Sequence, residues 1–175
     1  ITTGNFRDLS MFEPIVLALD LLWKKRKDFE LVCIGPITND KLSSFFRRPY
    51  IRHIPSANLE EIAEALRSSQ IFLFSHVNPP CPNSVIEAIS TGLPVVSYDT
   101  GCMAELCFFN RDLLAHVSEE VLQKYSDFDF NRLYEKIEGC IKNYDEYRKK
   151  SFFHTSIYTR GKMVKKYVKV FSNQQ

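Results

Sequence analysis

The residues best placed to do chemistry lie between Asn83 and Glu87, in a segment that reads NSVIE and follows a proline-rich loop. Those prolines fix the backbone φ angle and lead into a helix that we predict to begin near Asn83. The first amide N–H groups of a helix have no partner within it, and the helix dipole is positive at this end. The sequence therefore predicts an anion site, suited to a diphosphate, at Asn83, Ser84 and Val85.

Glu87 lies one turn into the same predicted helix, near that site. Its carboxylate can accept hydrogen bonds from the two hydroxyls of a ribose. The alternative is a solvated glutamate that favours the N-terminal part of a helix. The residue alone favours this alternative, so the choice depends on the wider pattern.

The elements that must position these residues alternate between short apolar, β-branched runs and longer segments of helical period. Runs that are apolar on both faces are typical of a parallel sheet covered by helices. We predict an α/β fold: a Rossmann-like parallel sheet of about six strands with helices on both faces. The predicted strands are residues 1–3, 29–35, 50–54, 70–74, 94–98 and 112–117, and the predicted helices are residues 11–27, 39–48, 59–68, 83–91, 131–143, 145–150 and 157–171.

Ligands of an open parallel sheet bind beyond the carboxyl ends of its strands. The loops predicted at that edge are residues 4–10, 35–40, 54–58, 75–83 and 99–104. Gly101 lies in the last of these loops, where the absence of a Cβ would let the backbone approach a ligand closely.

Length and composition indicate one domain over residues 1–175, because 45% hydrophobic residues can fill a single core of ordinary size. The net charge of +2, from 23 basic and 21 acidic residues, is too small and too evenly spread to indicate nucleic-acid binding. Ile1 and Thr2 resemble the end of a strand, so we expect the chain to begin inside a longer protein. No apolar run reaches the roughly 20 residues that span a bilayer.

Five cysteines without a CxxC pair indicate free thiols in a reducing compartment rather than a zinc site. Cys81 is best interpreted as a packing residue of its loop, since no histidine other than His76 is near it in sequence. The basic run at residues 24–27 favours a solvated helix end, with contact to an anionic membrane as the alternative.

A family resemblance is carried by residues 82–106, which read PNSVIEAISTGLPVVSYDTGCMAEL. They are similar to the signature of retaining glycosyltransferases typified by sucrose and mannosyl transferases, in which a glutamate-bearing helix precedes a Gly-x-Pro-Val-Val turn and a glycine loop. Residues 31–36 and 51–75 resemble the preceding elements of that family. The resemblance implies the C-terminal, nucleotide-sugar-binding half of a two-domain GT-B enzyme, whose N-terminal acceptor half is absent from this chain.

The resemblance also implies roles for individual residues. It assigns the ribose to Glu87 and the phosphates to the amides of Asn83, Ser84 and Val85, in agreement with the interpretation from the residues themselves. The remaining donor-site residues that it implies are Gly4, Arg7, Ile54, Pro55 and Gly101, with the nucleobase held by the backbone at Ile54 and Pro55.

Three positions depart from the family pattern. Pro79 replaces a glutamate near the reacting sugar, and Asn5 and Ser10 replace an arginine and a lysine near the diphosphate, which leaves Arg7 as the nearest cation. These departures leave two interpretations open: an active subgroup with a Pro-Cys-Pro-Asn loop, or a degenerate, non-catalytic nucleotide-binding or interaction module. An unrelated flavodoxin-like or receiver domain would need an acidic cluster after the first strand, which is missing.

The function implied is transfer of a sugar from a nucleoside diphosphate, with retention of configuration, to a glycan, lipid or protein acceptor. No metal or cofactor is implied beyond the nucleotide sugar, and we expect no nucleic-acid partner. The free thiols favour a cytoplasmic protein, with peripheral membrane contact of the full-length protein left open. The fragment alone is expected to bind the donor and transfer nothing.

Overall fold

The computed structural model describes residues 1–124 and 127–155 together with residues 161, 162, 164, 165 and 169, the side chains of residues 10 and 154 excepted. The strands are β1 Thr2–Thr3, β2 Leu31–Ile34, β3 Ile51–Ile54, β4 Phe72–Phe74, β5 Val95–Tyr98 and β6 Leu114–Ala115. The α-helices are α1 Leu9–Lys25, α2 Leu59–Ser68, α3 Asn83–Ser90, α4 Met103–Leu106, α5 Glu119–Lys124, α6 Phe130–Lys142 and α7 Tyr144–Thr155. Short 3-10 helices span Asp40–Leu42, Phe45–Arg47 and Phe108–Leu113.

The strands form two three-stranded parallel sheets, ordered β1-β2-β3 and β4-β5-β6. The two sheets meet at Ile1, whose nitrogen donates to the Ile71 carbonyl at 2.8 Å and whose carbonyl accepts from the Leu73 amide at 2.8 Å. This contact places β1 beside β4, so the strands lie in the order 3-2-1-4-5-6. The predicted Rossmann-like α/β fold is confirmed, with the difference that the sheet is divided in two where β1 and β4 share only this short contact.

Side chains of successive strand residues enter two different cores, as the two-residue period of a strand requires. Phe72 and Phe74 pack in one core and Leu73 in the other. The Leu73 core is completed by α1 and α6, and the Phe72 core by α2, α3 and α4. Helices therefore cover both faces of the sheet, which explains why β2, β4 and β5 are largely apolar, whereas the edge strand β3 also carries the exposed Arg52.

The predicted helix over residues 39–48 is wrong, because the chain forms two separate 3-10 turns there, Asp40–Leu42 and Phe45–Arg47. The Asn39 side chain accepts the Lys41 amide at 3.1 Å and closes the first turn. Arg48 is extended, with φ −64 and ψ 138, as expected of a residue before a proline.

Several element boundaries also differ from the prediction. Only Leu114–Ala115 pairs within the predicted strand 112–117, because the preceding Phe108–Leu113 segment is a 3-10 helix. The short helix α4 was not predicted, and the predicted helix 157–171 lies mostly outside the described residues. Among the residues described, no helix is both long and apolar enough to cross a membrane.

Candidate functional site

The loops after β1, β2 and β3 lie side by side at the carboxyl edge of the sheet. The Gly35 amide donates to the Ile54 carbonyl at 2.9 Å, and the Gly4 amide donates to the Ile34 carbonyl at 3.0 Å. A Cβ on Gly35 would overlap the Gly4 carbonyl, so only glycine permits this approach of the two loops. The Phe6 amide then donates to the Pro36 carbonyl at 2.9 Å and extends the contact.

The strand order reverses between β1 and β4, and such a switch point is where open α/β sheets bind ligands. A small cavity of about 20 Å³ lies there, between the loops that follow these two strands. Gly4, Asn5, Ser75 and His76 line it. The Ser75 hydroxyl donates to the Met11 carbonyl, which ties the loop after β4 to the first turns of α1.

His76 is a site residue that sequence reasoning missed. Its ring stacks on Phe74, with centroids 4.8 Å apart and planes at 14°. Burial and, to a lesser extent, the positive charge of Arg7 lower the pKa of His76, while the Asp8 carboxylate opposes them. The ring therefore favours its neutral form. Its position directly after β4, at the switch point, was the signal that could have identified it.

The loops after β4 and β5 are also fastened to each other. The Asn78 amide donates to the Thr100 hydroxyl and the Cys102 amide to the Pro79 carbonyl, both at 3.2 Å. Gly101 has a φ of +55, and a Cβ there would lie 2.6 Å from the Pro79 carbonyl oxygen. The space beside Gly101 is thus filled by the neighbouring loop, so this packing requires a glycine whether or not a ligand approaches it.

Helix α3 begins at Asn83 and directs its N-terminus toward this edge, because it directly follows the loop after β4. Its N-cap residue, Pro82, supplies no side-chain hydrogen bond. The Val85 amide donates to the Pro82 carbonyl at 3.1 Å, whereas the amides of Asn83 and Ser84 have no acceptor among the described residues. Two of the three amides predicted to hold an anion are therefore free to do so.

Glu87 is exposed on α3, one turn after the free amides. Its carboxylate makes no hydrogen bond or ion pair with any residue in the described part of the chain. The Ile54 carbonyl is engaged by Gly35, while Pro55 is exposed beside it.

None of the three positions that depart from the family pattern, Asn5, Ser10 and Pro79, carries a charge. The Asn5 side-chain oxygen accepts the Thr38 hydroxyl at 2.9 Å, which fixes it between two loops. Arg7 is exposed at the same edge, and the side chain of Ser10 lies outside the described part of the chain. Pro79 is buried.

Two acidic residues, Asp127 and Asp129, have a spacing that could suit a divalent cation. Asp129 instead caps α6, where its carboxylate accepts the Asn131 amide at 2.9 Å and pairs with Arg132 at 3.5 Å. Within the described residues, no three histidine, cysteine or acidic side chains are gathered as a metal site requires.

A much larger cavity, of about 540 Å³, lies at the opposite edge of the sheet, where Ile1, Leu31 and Gln70 are among its lining residues. These residues mark the amino ends of the strands, where open α/β sheets do not bind their ligands. The candidate site therefore lies at the carboxyl edge, where the strand direction puts it, although the cavity there is the smaller one.

Comparison with known families decides what kind of α/β protein this is. A family model, described as glycosyl transferases group 1, matches residues 1–126. The chain belongs to the group 1 glycosyl transferases. The match includes the switch point, α3 and the loop around Gly101, which together form the candidate site. No curated protein matches the chain.

Solved structures place this group 1 chain in the GT-B fold, of which it forms one half. It is similar to a GtfA/B complex, with a TM-score of 0.81, 17% identity, and coverage of 98% of this chain and 35% of that one. It is also similar to the pneumococcal O-GlcNAc transferase GtfA in complex with UDP and GlcNAc, with a TM-score of 0.77 and 15% identity. That match covers 98% of this chain and 35% of GtfA. A third similar structure is the catalytic domain of cholesterol-alpha-glucosyltransferase from Helicobacter pylori, with a TM-score of 0.69 and 15% identity. That match covers 89% of this chain and 94% of that domain.

At sequence identities of 15–17%, the structural similarity is evidence of a shared fold alone. The chain spans 35% of the length of the first two structures, so it corresponds to one part of those proteins.

Proposed function

We propose that this chain is the donor-binding half of a retaining glycosyltransferase and that it binds a nucleoside-diphosphate sugar at the carboxyl edge of its sheet. The observation that carries the proposal is the pairing of two free amides, at Asn83 and Ser84, with the unpaired Glu87 carboxylate one turn further along α3. The amides and the positive end of the helix dipole suit a diphosphate. The carboxylate suits the hydroxyls of the adjoining ribose.

The nucleobase fits beside the end of β3, at Ile54 and Pro55. The Pro55 carbonyl and the Ser56 amide make no backbone hydrogen bond to other described residues, so both can pair with the polar edge of a base. Gly35 brings the loop after β2 against Ile54 and supplies the second wall.

The chemistry proposed for the full-length enzyme breaks the bond between the sugar and the diphosphate. The sugar then gains oxocarbenium character, while the negative charge grows on the leaving diphosphate. The α3 N-terminus and the exposed Arg7 are the groups of this chain that can stabilise that charge. The other half of the enzyme would hold a glycan, lipid or protein acceptor, so this chain alone would transfer nothing. No metal or further cofactor is needed for this scheme, and peripheral membrane contact would be a property of the full-length protein.

The proposal is tested by calorimetry on the 175-residue chain with UDP, GDP and ADP, beginning with UDP because the similar pneumococcal structure contains it. We expect one base to bind, and Glu87→Gln to weaken that binding about 10–100-fold, as loss of a hydrogen bond to a charged group does. The matched control is Glu64→Gln, which alters another exposed glutamate on a helix, α2, and should change the affinity less than about twofold.

A 2′-deoxy nucleotide separates ribose recognition from a general effect of charge. If Glu87 binds the ribose, the Glu87→Gln change should cost less affinity with the deoxy nucleotide than with the ribonucleotide. Equal losses with both nucleotides, or equal losses in the Glu64→Gln control, would contradict the assignment. Failure of all three bases to bind would contradict the donor site itself.

A second candidate, a degenerate nucleotide-binding module without turnover, is favoured by Pro79 and Asn5. Pro79 supplies no carboxylate, and its carbonyl is engaged by the Cys102 amide. Asn5 is neutral and already bonded to Thr38. A protein that includes the acceptor half distinguishes the two: release of UDP from a UDP-sugar supports the transferase, and tight binding without release supports the module.

A further inference from the structure

Two cysteines lie on either side of the contact between the loops that follow β4 and β5. Cys102 donates its amide to the Pro79 carbonyl at 3.2 Å, and Cys81 is only two residues beyond Pro79. Gly101 is packed against the same turn, with its Cβ position 2.7 Å from the Pro79 nitrogen. The backbone two residues before Cys81 is therefore in direct contact with the backbone of Cys102.

These two thiols are also the accessible ones. Cys81 is exposed and Cys102 is half-buried, whereas Cys33, Cys107 and Cys140 are buried. All five cysteines lie in the described part of the chain and all are free thiols. Burial raises the pKa of Cys33, Cys107 and Cys140 to about 12, so those three stay protonated and unreactive at neutral pH.

We propose that Cys81 and Cys102 form a reversible disulfide that fastens the proline-rich loop before α3 to the glycine loop after β5. Both loops belong to the carboxyl edge of the sheet, and the first leads directly into the free amides of Asn83 and Ser84. The disulfide would hold the proline-rich loop in one position at the N-terminus of α3. Its formation requires nothing of the proposed donor binding, so the two proposals stand or fall separately.

The electrostatic coupling between the two thiols agrees with their proximity. Burial raises the pKa of the Cys102 thiol, and the charge of a Cys81 thiolate raises it further. The exposed Cys81 is thus the residue that an oxidant meets first, and Cys102 is the resolving thiol.

The oxidant that we name is a small-molecule disulfide such as oxidised glutathione. The Cys81 thiolate attacks one of its sulfurs and displaces the first glutathione thiolate, which leaves a mixed disulfide. The Cys102 thiolate then attacks the Cys81 sulfur and displaces the second glutathione. One protein disulfide and two glutathione thiols are formed, and the two protons of the cysteines pass to the two leaving thiolates.

Peptide mapping of the oxidised native chain tests this pair. A protease that cleaves after glutamate separates the candidates, because Glu64, Glu87 and Glu105 place Cys81 in residues 65–87, Cys102 in 88–105 and Cys107 in 106–119. We expect the main product to be peptide 65–87 linked to peptide 88–105, with a mass two hydrogen atoms below the sum of the two reduced peptides. Dithiothreitol should separate the two peptides, and either Cys81→Ser or Cys102→Ser should abolish the link.

The buried cysteines serve as internal controls, since Cys33, Cys107 and Cys140 should react with iodoacetamide only after unfolding. Three results would overturn the proposal: a stable glutathione adduct on Cys81 as the end product, a link from Cys81 to the peptide that holds Cys107, or a disulfide between two chains on a non-reducing gel. The map is read on the wild-type chain, so it remains decisive even if a serine variant folds poorly.

Discussion

Replacing Gly101 by alanine should destabilise the chain by about 2–5 kcal/mol. Gly101 has a φ of +55, where an L-residue other than glycine costs about 1–2 kcal/mol. The added Cβ would also lie 2.6 Å and 2.7 Å from the Pro79 carbonyl oxygen and nitrogen. Both are backbone atoms that cannot turn away, and such overpacking costs about 1–3 kcal/mol.

Urea unfolding measures this loss, and two further variants separate its causes. Gly139→Ala is the matched control, because a Cβ at Gly139 in α6 meets nothing within 4 Å and should stabilise the helix by about 0.5–1 kcal/mol. Gly101→Asn tolerates the left-handed backbone but keeps the contact with Pro79, so it should still destabilise. Equal free energies of unfolding for Gly101→Ala and the wild type would refute the reasoning.

Three further changes have directions that follow from individual contacts. Asn58→Ala should cost about 1 kcal/mol in urea unfolding, because it removes a capping box in which Asn58 and Glu61 each accept the other's amide; an unchanged midpoint would contradict this. Tyr50→Phe should cost about 1–3 kcal/mol, because it leaves the Asp20 carboxylate without the buried hydroxyl 2.6 Å away; full stability of the variant would contradict this. The lowered pKa of His76 means that the unfolded chain binds more protons below the ordinary value of 6.5. The free energy of unfolding should therefore fall as the pH drops below 6.5, and His76→Gln should lack this part of the fall in unfolding measured across that range.

The sheet and most helices could be predicted from the sequence because their signals are local. Strands β2, β4 and β5 contribute side chains to both cores and are therefore largely apolar, as Phe72, Leu73 and Phe74 illustrate. The start of α2 is marked by Asn58, a residue type favoured at the N-cap, whose side chain accepts the Glu61 amide. The start of α3 at Asn83 was marked in the same way by the prolines before it.

The features that could not be predicted depend on contacts between residues far apart in sequence. The Pro79 backbone occupies the space beside Gly101 and gives this position a packing reason to be glycine, and nothing near Gly101 in the chain indicates this. His76 lies in the predicted loop 75–83, and the pairing of β1 beside β4 brings it to the same cavity as Gly4. The segment predicted as a helix at residues 39–48 forms two 3-10 turns instead, and Pro49 keeps Arg48 extended at its end.

The central claim, that the N-terminus of α3 holds the diphosphate of a nucleotide, is tested most directly by a UDP titration followed in the amide NMR spectrum. The account predicts that the amide resonances of Asn83 and Ser84 shift most, because their N–H groups gain the acceptor that the protein does not supply. The Gly139 resonance should stay in place. Unchanged Asn83 and Ser84 resonances, with shifts instead at Gln70 beside the larger cavity, would contradict the account.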